Sequence, residues 1–170
     1  YLAGSPDSSL AMLRAVVAEH AGTDVAARAQ FLVGEEVLTQ KRYEEAIPEF
    51  NRVLTRYFES EVAASAQYRV ARCLDALGRR AEATSAYQAV VTGYAAAPEA
   101  PAAAYLAGVG QLARGKPLLA APYFQLVLDR YASKSDSTRA VVFASPAHQE
   151  LVEAALCLLE LSYHRAGDLG

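Results

Sequence analysis

The stretch Ala46-Ile-Pro-Glu-Phe-Asn-Arg-Val-Leu-Thr-Arg-Tyr57 returns twice in outline, at residues 83–94 and 120–131. In each copy an Ala, an aromatic residue, two adjacent aliphatic residues and a Tyr stand at the same positions, 37 residues after the previous copy. A period of this length is typical of stacked helical units, each of which buries its apolar face against its neighbours. The repeat therefore predicts an all-α fold and favours macromolecule binding over chemistry.

Apolar residues at steps of three and four divide each unit into two helical segments. One stripe runs from Ala63 to Leu77, and Gly78 is expected to end that helix because glycine readily adopts the left-handed conformation found there. Pro48 and Pro122 lie about two turns inside their segments and predict a slight bend or a late helix start rather than a break. The expected helices are 24–40, 43–57, 63–77, 81–94, 99–114 and 117–131.

These segments resemble the tetratricopeptide repeat (TPR). The resemblance rests on Gly34-Glu-Glu-Val37 followed by Tyr43-Glu-Glu-Ala-Ile-Pro-Glu-Phe50, which combine a small residue, an apolar residue, and an Ala and an aromatic residue four apart. Gln111 stands where an apolar residue is usual, so the third helix pair is expected to pack more loosely. The spacing Tyr-x-x-Ser/Ala-x-x-Ala-x-Ala-x-Tyr is similar to bacterial cell-envelope repeats of the YbgF and BamD kinds. The resemblance implies a right-handed α-solenoid of antiparallel helix pairs.

The period predicts a single solenoid interrupted by one insertion. Its expected parts are a partial unit at 1–23, full units at 24–60, 61–97 and 98–131, an insertion at 132–146, and a partial unit at 147–170. Residues 1–4 are expected to be the remnant of a helix, and apolar residues between Leu151 and Tyr163 are expected to lie exposed. We therefore expect either a fragment of a longer protein or an end covered by another chain.

The insertion is Ser-rich in its first half, which indicates a solvated loop. Its later residues, Ala140-Val-Val-Phe-Ala144, are apolar and prone to β-structure. Two interpretations stay open. The insertion is either a tolerated surface loop, since long loops add little entropic cost, or an arm that folds over the concave face or pairs with a partner.

Composition excludes several classes of protein. A formal net charge of −3 with dispersed Lys and Arg argues against nucleic-acid binding. Neither a membrane-spanning run nor a signal peptide is visible, and no cofactor is implied. His20, His148 and His164 are scattered and belong to no catalytic or metal-binding motif, so the segment is predicted not to be an enzyme. Cys73 and Cys157 are expected to be free, buried thiols, with a disulfide or a metal pair as the alternative.

The TPR resemblance implies that the first helix of each unit lines a concave groove. The groove positions carry Arg28, Phe31, Glu35, Leu38, Tyr68, Arg69, Arg72, Asp75, Tyr105, Val109, Leu112, Cys157, Leu161 and His164. The Lys and Asn that grip a chaperone's terminal carboxylate in some TPRs are absent from these positions. An aromatic ladder of Phe31, Tyr68 and Tyr105 remains, 37 residues apart at each step. This ladder is either a set of peptide anchors or part of the core between helices.

The leading hypothesis is a non-catalytic scaffold that binds a protein or peptide in this groove. A bacterial, periplasmic or outer-membrane setting follows from the resemblance alone. One alternative is a self-assembly module in which uncapped ends or the 132–146 arm dock a second copy. Another is a regulatory segment of a larger multidomain protein.

Overall fold

The computed structural model describes residues 6–131, 133–134, 141–142 and 146–167, with side chains over 8–130 and 149–167. Eight helices and one pair of short strands lie in this part of the chain. They are α1 Pro6–Glu19, α2 Asp24–Thr39, α3 Tyr43–Arg56, α4 Ala63–Ala76, α5 Arg80–Gly93, α6 Ala100–Ala113, α7 Pro117–Tyr131, β1 Ser133–Lys134, β2 Val141–Val142 and α8 Pro146–Gly167. The expected all-α fold of paired helices is confirmed, and each expected helix agrees with the observed one to within one residue.

Local sequence explains where the helices begin and end. Thr23 caps α2, because its hydroxyl oxygen accepts a hydrogen bond from the amide of Ala26 at 3.3 Å. Gly78 follows α4 with a φ of 74°, and the next amide, that of Arg79, donates to the carbonyl of Leu74 at 2.9 Å. Gly115 ends the turn after α6 in the same conformation. The helices continue through both internal prolines, as expected.

Residues 1–86 form one compact unit. Within it, α1 packs on α2, α2 on α3 and α3 on α4. Phe50 and Val53 of α3 are fully buried together with Val33 of α2. The backbone of α2 approaches the ring of Phe50 so closely that a Cβ added to Gly34 would lie 2.6 Å from a ring carbon. The glycine therefore sets how near α2 and α3 pack.

Residues 87–170 form a second compact unit, so that α5 is divided between the two. Here α7 packs against both α6 and α8, and its Phe124 and Val127 are buried with Val152 of α8. Gly108 lies against Phe124 as Gly34 does against Phe50, and a Cβ added to Gly108 would lie 2.7 Å from a ring carbon. Gln111 is buried at 6% exposure, and its Oε1 has no hydrogen-bond partner among the described residues. The position that was expected to loosen the packing is thus inside the core.

The insertion contains one short strand pair. β1 and β2 run antiparallel, with Ser133 opposite Val142 and Lys134 opposite Val141. The β-prone character expected at residues 140–144 is confirmed for Val141 and Val142. The remaining insertion residues up to 145 lie outside the described residues, as do residues 1–4, so both interpretations of the arm stay open.

Candidate functional site

An ion pair joins the first helices of two successive repeats. Nε of Arg69 in α4 lies 2.8 Å from Oε1 of Glu35 in α2, and a terminal guanidinium nitrogen donates to Oε2 at 3.0 Å. Both side chains are half-buried, and the pair combines one charge-assisted hydrogen bond, to Oε2, with a close charge contact at Oε1, which accepts no hydrogen bond among the described residues. The surface around the pair, called the α2–α4 face below, consists of Phe31, Glu35, Leu38, Tyr68, Arg69 and Arg72.

Two aromatic residues are close to this ion pair along the chain, since Phe31 is one helical turn before Glu35 and Tyr68 precedes Arg69. Phe31 and Tyr68 are each half-buried, and the ring of Phe31 lies 5.5 Å from that of Phe50, centroid to centroid. In the second unit, Tyr105 makes the same kind of contact with Phe124, at 6.1 Å. Such tilted pairs stabilise the packing beyond their buried area. Phe31 and Tyr105 therefore contribute to packing while part of each side chain stays accessible.

Cys73 lies beneath the α2–α4 face and is fully buried. Burial raises the pKa of its thiol to about 11, and the negative charge of Glu35 acts in the same direction, against the opposing effect of Arg69 and Arg72. A thiol with this pKa is protonated at neutral pH. Cys73 therefore behaves as a small apolar residue and not as a nucleophile.

The other predicted site residues are distributed as follows. In the first unit, Arg28 is exposed and pairs with Glu61 at 2.5 Å, and Asp75 is exposed. In the second unit, Leu112 is in the core, whereas Val109, Leu161 and His164 are exposed. The structure thus brings Glu35 of α2 and Arg69 of α4 into contact, whereas the predicted residues of α6 and α8 belong to the second unit.

The expectation that both cysteines are buried is wrong for Cys157, which is exposed on α8. It stands at the position of Tyr105, whose ring lies against α7. Among the described residues, no helix covers α8 on that side.

Sequence reasoning missed a hydrogen bond that repeats between helices. Nε2 of Gln30 in α2 donates to the carbonyl oxygen of Glu49 in α3 at 3.1 Å, and Nε2 of Gln67 in α4 donates to that of Ala86 in α5 at 3.2 Å. The two glutamines are 37 residues apart, as are their two acceptors. That shared spacing is the signal which would have found them.

Glu49 is the centre of a buried polar cluster in the first unit. Its carboxylate also accepts a hydrogen bond from Gln30 at 2.9 Å, pairs with Arg52, and lies 3.3 Å from a guanidinium nitrogen of Arg14 in α1. Burial tends to raise the pKa of Glu49, but these hydrogen bonds and the two positive charges outweigh it and hold the pKa below its usual range. The cluster thus links α1, α2 and α3 through one ionised side chain.

A pocket of about 330 Å³ opens in the first unit between the α1–α2 turn and the α3–α4 turn. It is lined by residues 22–24 and 56–60, among them Asp24, Arg56 and Glu59. The equivalent turn in the next repeat, residues 93–97, has no charged residue.

Within the described ranges, no group of three or more His, Cys, Asp or Glu side chains could hold a metal ion. The same residues include no helix that is both long enough and apolar enough to span a membrane.

Comparison with known proteins agrees with this geometry. A tetratricopeptide repeat model matches residues 3–57. The fold is similar to that of a kinesin-light-chain-type protein of Podosopora anserina with nearly identical TPR-like repeats, at 18% identity and a TM-score of 0.63 over 97% of this chain and 81% of that one. No curated protein matches the chain.

Two further solved structures share the fold. MamA from Desulfovibrio magneticus RS-1 is similar at 18% identity and a TM-score of 0.59, over 97% of this chain and 84% of that one. The apo form of RapI is similar at 18% identity and a TM-score of 0.59, over 92% of this chain and 47% of that one. At such identities the likeness concerns the fold alone. Residues 3–57 thus match a tetratricopeptide repeat, and the chain has the TPR-like fold of paired helices.

Proposed function

We propose that this chain is a non-catalytic scaffold that binds a peptide segment of a protein partner across the α2–α4 face. The observation that carries the proposal is the hydrogen-bonded ion pair of Glu35 and Arg69, which links two successive repeats at a half-buried surface. A pair fixed in this way presents charge with little freedom left to lose when a partner binds. Stacked repeats of this kind generally serve as binding surfaces.

The aromatic residues supply the apolar part of this surface. Phe31 and Tyr68 are half-buried on the α2–α4 face, so each has area left to cover. Aromatic and Arg side chains are the residue types that most often dominate binding energy in interfaces. The bound segment is therefore expected to bring an apolar side chain to the rings and a polar or charged group to Arg69 or Glu35.

The test is a peptide library displayed on phage and selected on the immobilised chain. Peptides that bind the wild-type chain are then measured against Tyr68→Ala and Arg69→Ala, with Thr92→Ala on the exposed side of α5 as the control. We expect each of the first two changes to weaken binding about tenfold or more, and the control to leave it unchanged. Selected peptides that bind all three variants equally would argue against this face.

The variants must also be melted, because an aromatic residue at helical spacing is often structural. Tyr68→Ala is expected to reduce binding more than it lowers the melting temperature. A large loss of stability without a specific loss of binding would assign Tyr68 to the core.

We also propose that this scaffold belongs to a bacterial cell envelope. Support comes from the resemblance of the Tyr-x-x-Ser/Ala-x-x-Ala-x-Ala-x-Tyr spacing to envelope repeats. Fractionation of the native host with an antibody to this chain tests it. Recovery in the cytoplasmic fraction would refute the setting while leaving the peptide-binding proposal in place.

A further inference from the structure

The two turns that join α2 to α3 and α4 to α5 share an ion pair. In each, an arginine immediately before the second helix pairs with a glutamate three residues later. Arg42 lies 2.5 Å from Glu45, and Arg79 lies 2.6 Å from Glu82. The two pairs are 37 residues apart. In these turns the positive charge is therefore neutralised within the chain.

The turn between α6 and α7 keeps the cation and lacks the carboxylate. The 37-residue step places Lys116 at the position of Arg79 and Leu119 at the position of Glu82. Arg114, two residues before Lys116, adds a second positive charge. Both cations are exposed, and neither forms an ion pair with any of the described residues. An acidic position of the repeat is thus apolar here, and the cation beside it is left for another partner.

The acidic residues of α6 and α7 lie far from this turn. Between Glu99 and Asp129 the sequence contains two charged residues, Arg114 and Lys116. Glu99 precedes α6 and Asp129 is in the last turn of α7, so each is roughly 20 Å from the turn at 1.5 Å per helical residue. This distance is about two Debye lengths at physiological ionic strength. Their negative charge is therefore largely screened from the two cations.

Two leucines in the first turn of α7 stand beside these cations. Leu118 is 65% exposed and Leu119 is 54% exposed, whereas the next residue, Ala120, is fully buried. Pro122, one turn further along, is exposed as well. The helix is thus held in the core on one side, and the leucines project from its other side into solvent.

We propose that this edge attaches the protein to an anionic lipid surface. The edge is called the α6–α7 tip below and consists of Arg114, Lys116, Leu118 and Leu119. The leucines enter the interfacial layer of the bilayer, where burial of their apolar area favours binding. The two cations lie at the level of the headgroups, because a negatively charged lipid surface attracts nearby basic side chains. The attachment is peripheral and reversible, since only two apolar side chains enter the layer.

A protein partner suits the α6–α7 tip less well. Projecting leucines need a matching apolar pocket in a protein, with carboxylates placed beside it for both cations. A fluid lipid layer instead adapts its shape to a projecting residue, and an anionic one supplies many negative charges at once. The combination of high exposure and unpaired positive charge therefore favours lipid.

The test is cosedimentation of the 170-residue chain with lipid vesicles. The vesicles contain phosphatidylcholine alone or equal parts of phosphatidylcholine and phosphatidylglycerol. We expect binding to the anionic vesicles only, and a steep loss of it between about 0.1 M and 1 M salt, because the Debye length shortens from about 10 Å to about 3 Å. Leu118→Gln with Leu119→Gln, and Arg114→Gln with Lys116→Gln, should each lower the partition coefficient about tenfold or more.

Matched double variants control for each pair. Arg42→Gln with Arg79→Gln removes the same net charge from two cations that are already paired, and should leave vesicle binding nearly unchanged. Val25→Gln with Leu32→Gln removes two apolar side chains that are 53% and 49% exposed on α2, and should also leave it unchanged. Glutamine is used throughout because it is neutral and favours helix.

Fluorescence supplies a readout that does not depend on the glutamine variants. The chain contains no Trp, so Leu119→Trp introduces a single indole at the α6–α7 tip. Its emission should shift to shorter wavelength with anionic vesicles and be quenched by brominated lipid. Thr92→Trp, on the exposed side of α5, is the control and should respond to neither. This reporter decides the matter if a glutamine pair fails to reproduce the wild-type circular dichroism melt.

Three results would overturn the proposal. The first is a wild-type chain that does not sediment with anionic vesicles, and the second is binding that both glutamine pairs leave unchanged. The third is binding in which the indole at position 119 stays in water, since that would be adsorption by charge elsewhere on the surface. The α6–α7 tip shares no residue with the α2–α4 face, so its failure would leave the peptide-binding proposal standing.

Discussion

The α2/α3 pair of the first unit and the α6/α7 pair of the second are built on the same contact. In each, a glycine of the first helix lies against a fully buried Phe ring of the second. A Cβ added to the glycine would lie 2.6 Å from a ring carbon at Gly34 and 2.7 Å from one at Gly108. The surroundings differ. Beside the first contact, Gln30 is hydrogen-bonded to a buried carboxylate, whereas Ala104 and Tyr123 stand at the equivalent positions in the second.

The two pairs share the glycine and the ring and differ in what lies beside them. In these two pairs the glycine and the ring set how near the helices lie, because a Cβ at the glycine would collide with the ring. Beside that contact, the same geometry accepts Gln30 with an ionised Glu49 in one unit and Ala104 with Tyr123 in the other. The changes that test this comparison follow, from the largest expected effect to the smallest.

Removing either ring should have the largest effect. Phe50→Ala and Phe124→Ala each leave a cavity in a fully buried site, and we expect a loss of about 3–5 kcal/mol in the free energy of unfolding. Hydrogen exchange measured residue by residue would report the loss for each unit separately. Phe58→Ala, at an exposed ring, is the control and should change little. Similar protection in all three variants would show that the rings do not hold the pairs together.

Adding a methyl group at Gly34 should destabilise the first unit by crowding its core, whereas removing a ring does so by leaving a cavity. Gly34→Ala forces the Cβ against the ring of Phe50, at an expected cost of about 1–3 kcal/mol in urea unfolding. Gly93→Ala is the control, since nothing lies within 4 Å of its added Cβ and alanine favours helix.

The shorter side chain of Phe50→Leu should relieve the strain of Gly34→Ala. The double variant is therefore expected to lose less stability than the two single losses added together. Simple additivity would mean that Gly34 and Phe50 do not limit each other.

The sequence predicted the helices well because their ends are marked locally, as Gly78 shows. It predicted Cys157 wrongly, since repeat reasoning assumes that every first helix is covered by a second one. The pair of Glu35 and Arg69 could not be predicted from the period: the two residues are 34 apart, and their contact depends on how the helices are offset. Glu49 was missed because its equivalents are Ala86 and Tyr123, so no repeated residue type marks the position.

The buried carboxylate should make the first unit's stability depend on pH. Because the pKa of Glu49 is lower in the folded protein than its ordinary value of 4.5, ionised Glu49 stabilises the fold above that value. The stabilisation is lost as the pH falls through the folded-state pKa. We expect Glu49→Gln to cost about 1–2 kcal/mol in the free energy of unfolding at pH 7 and much less near pH 3.

The measurement is urea unfolding of the wild-type chain and Glu49→Gln at both pH values. Glu19→Gln, on the exposed end of α1, is the control for the general effect of removing a carboxylate. A difference between wild type and Glu49→Gln that stays constant from pH 7 to pH 3 would mean that the charge of Glu49 does not contribute.

Exchanging surface residues between the two pairs should have the smallest effect. Leu118 and Leu119 open α7 at 65% and 54% exposure, where α3 has Glu44 and Glu45. In Leu118→Glu combined with Leu119→Glu, lost apolar contacts are offset by favourable charge at a helix N-terminus, so stability should change by about 0.5 kcal/mol or less. Solubility should rise, because an exposed apolar patch is removed. A loss of stability in thermal unfolding well above this expected change would show that these leucines are covered in solution. The outer surface of the second unit would then be part of its packing.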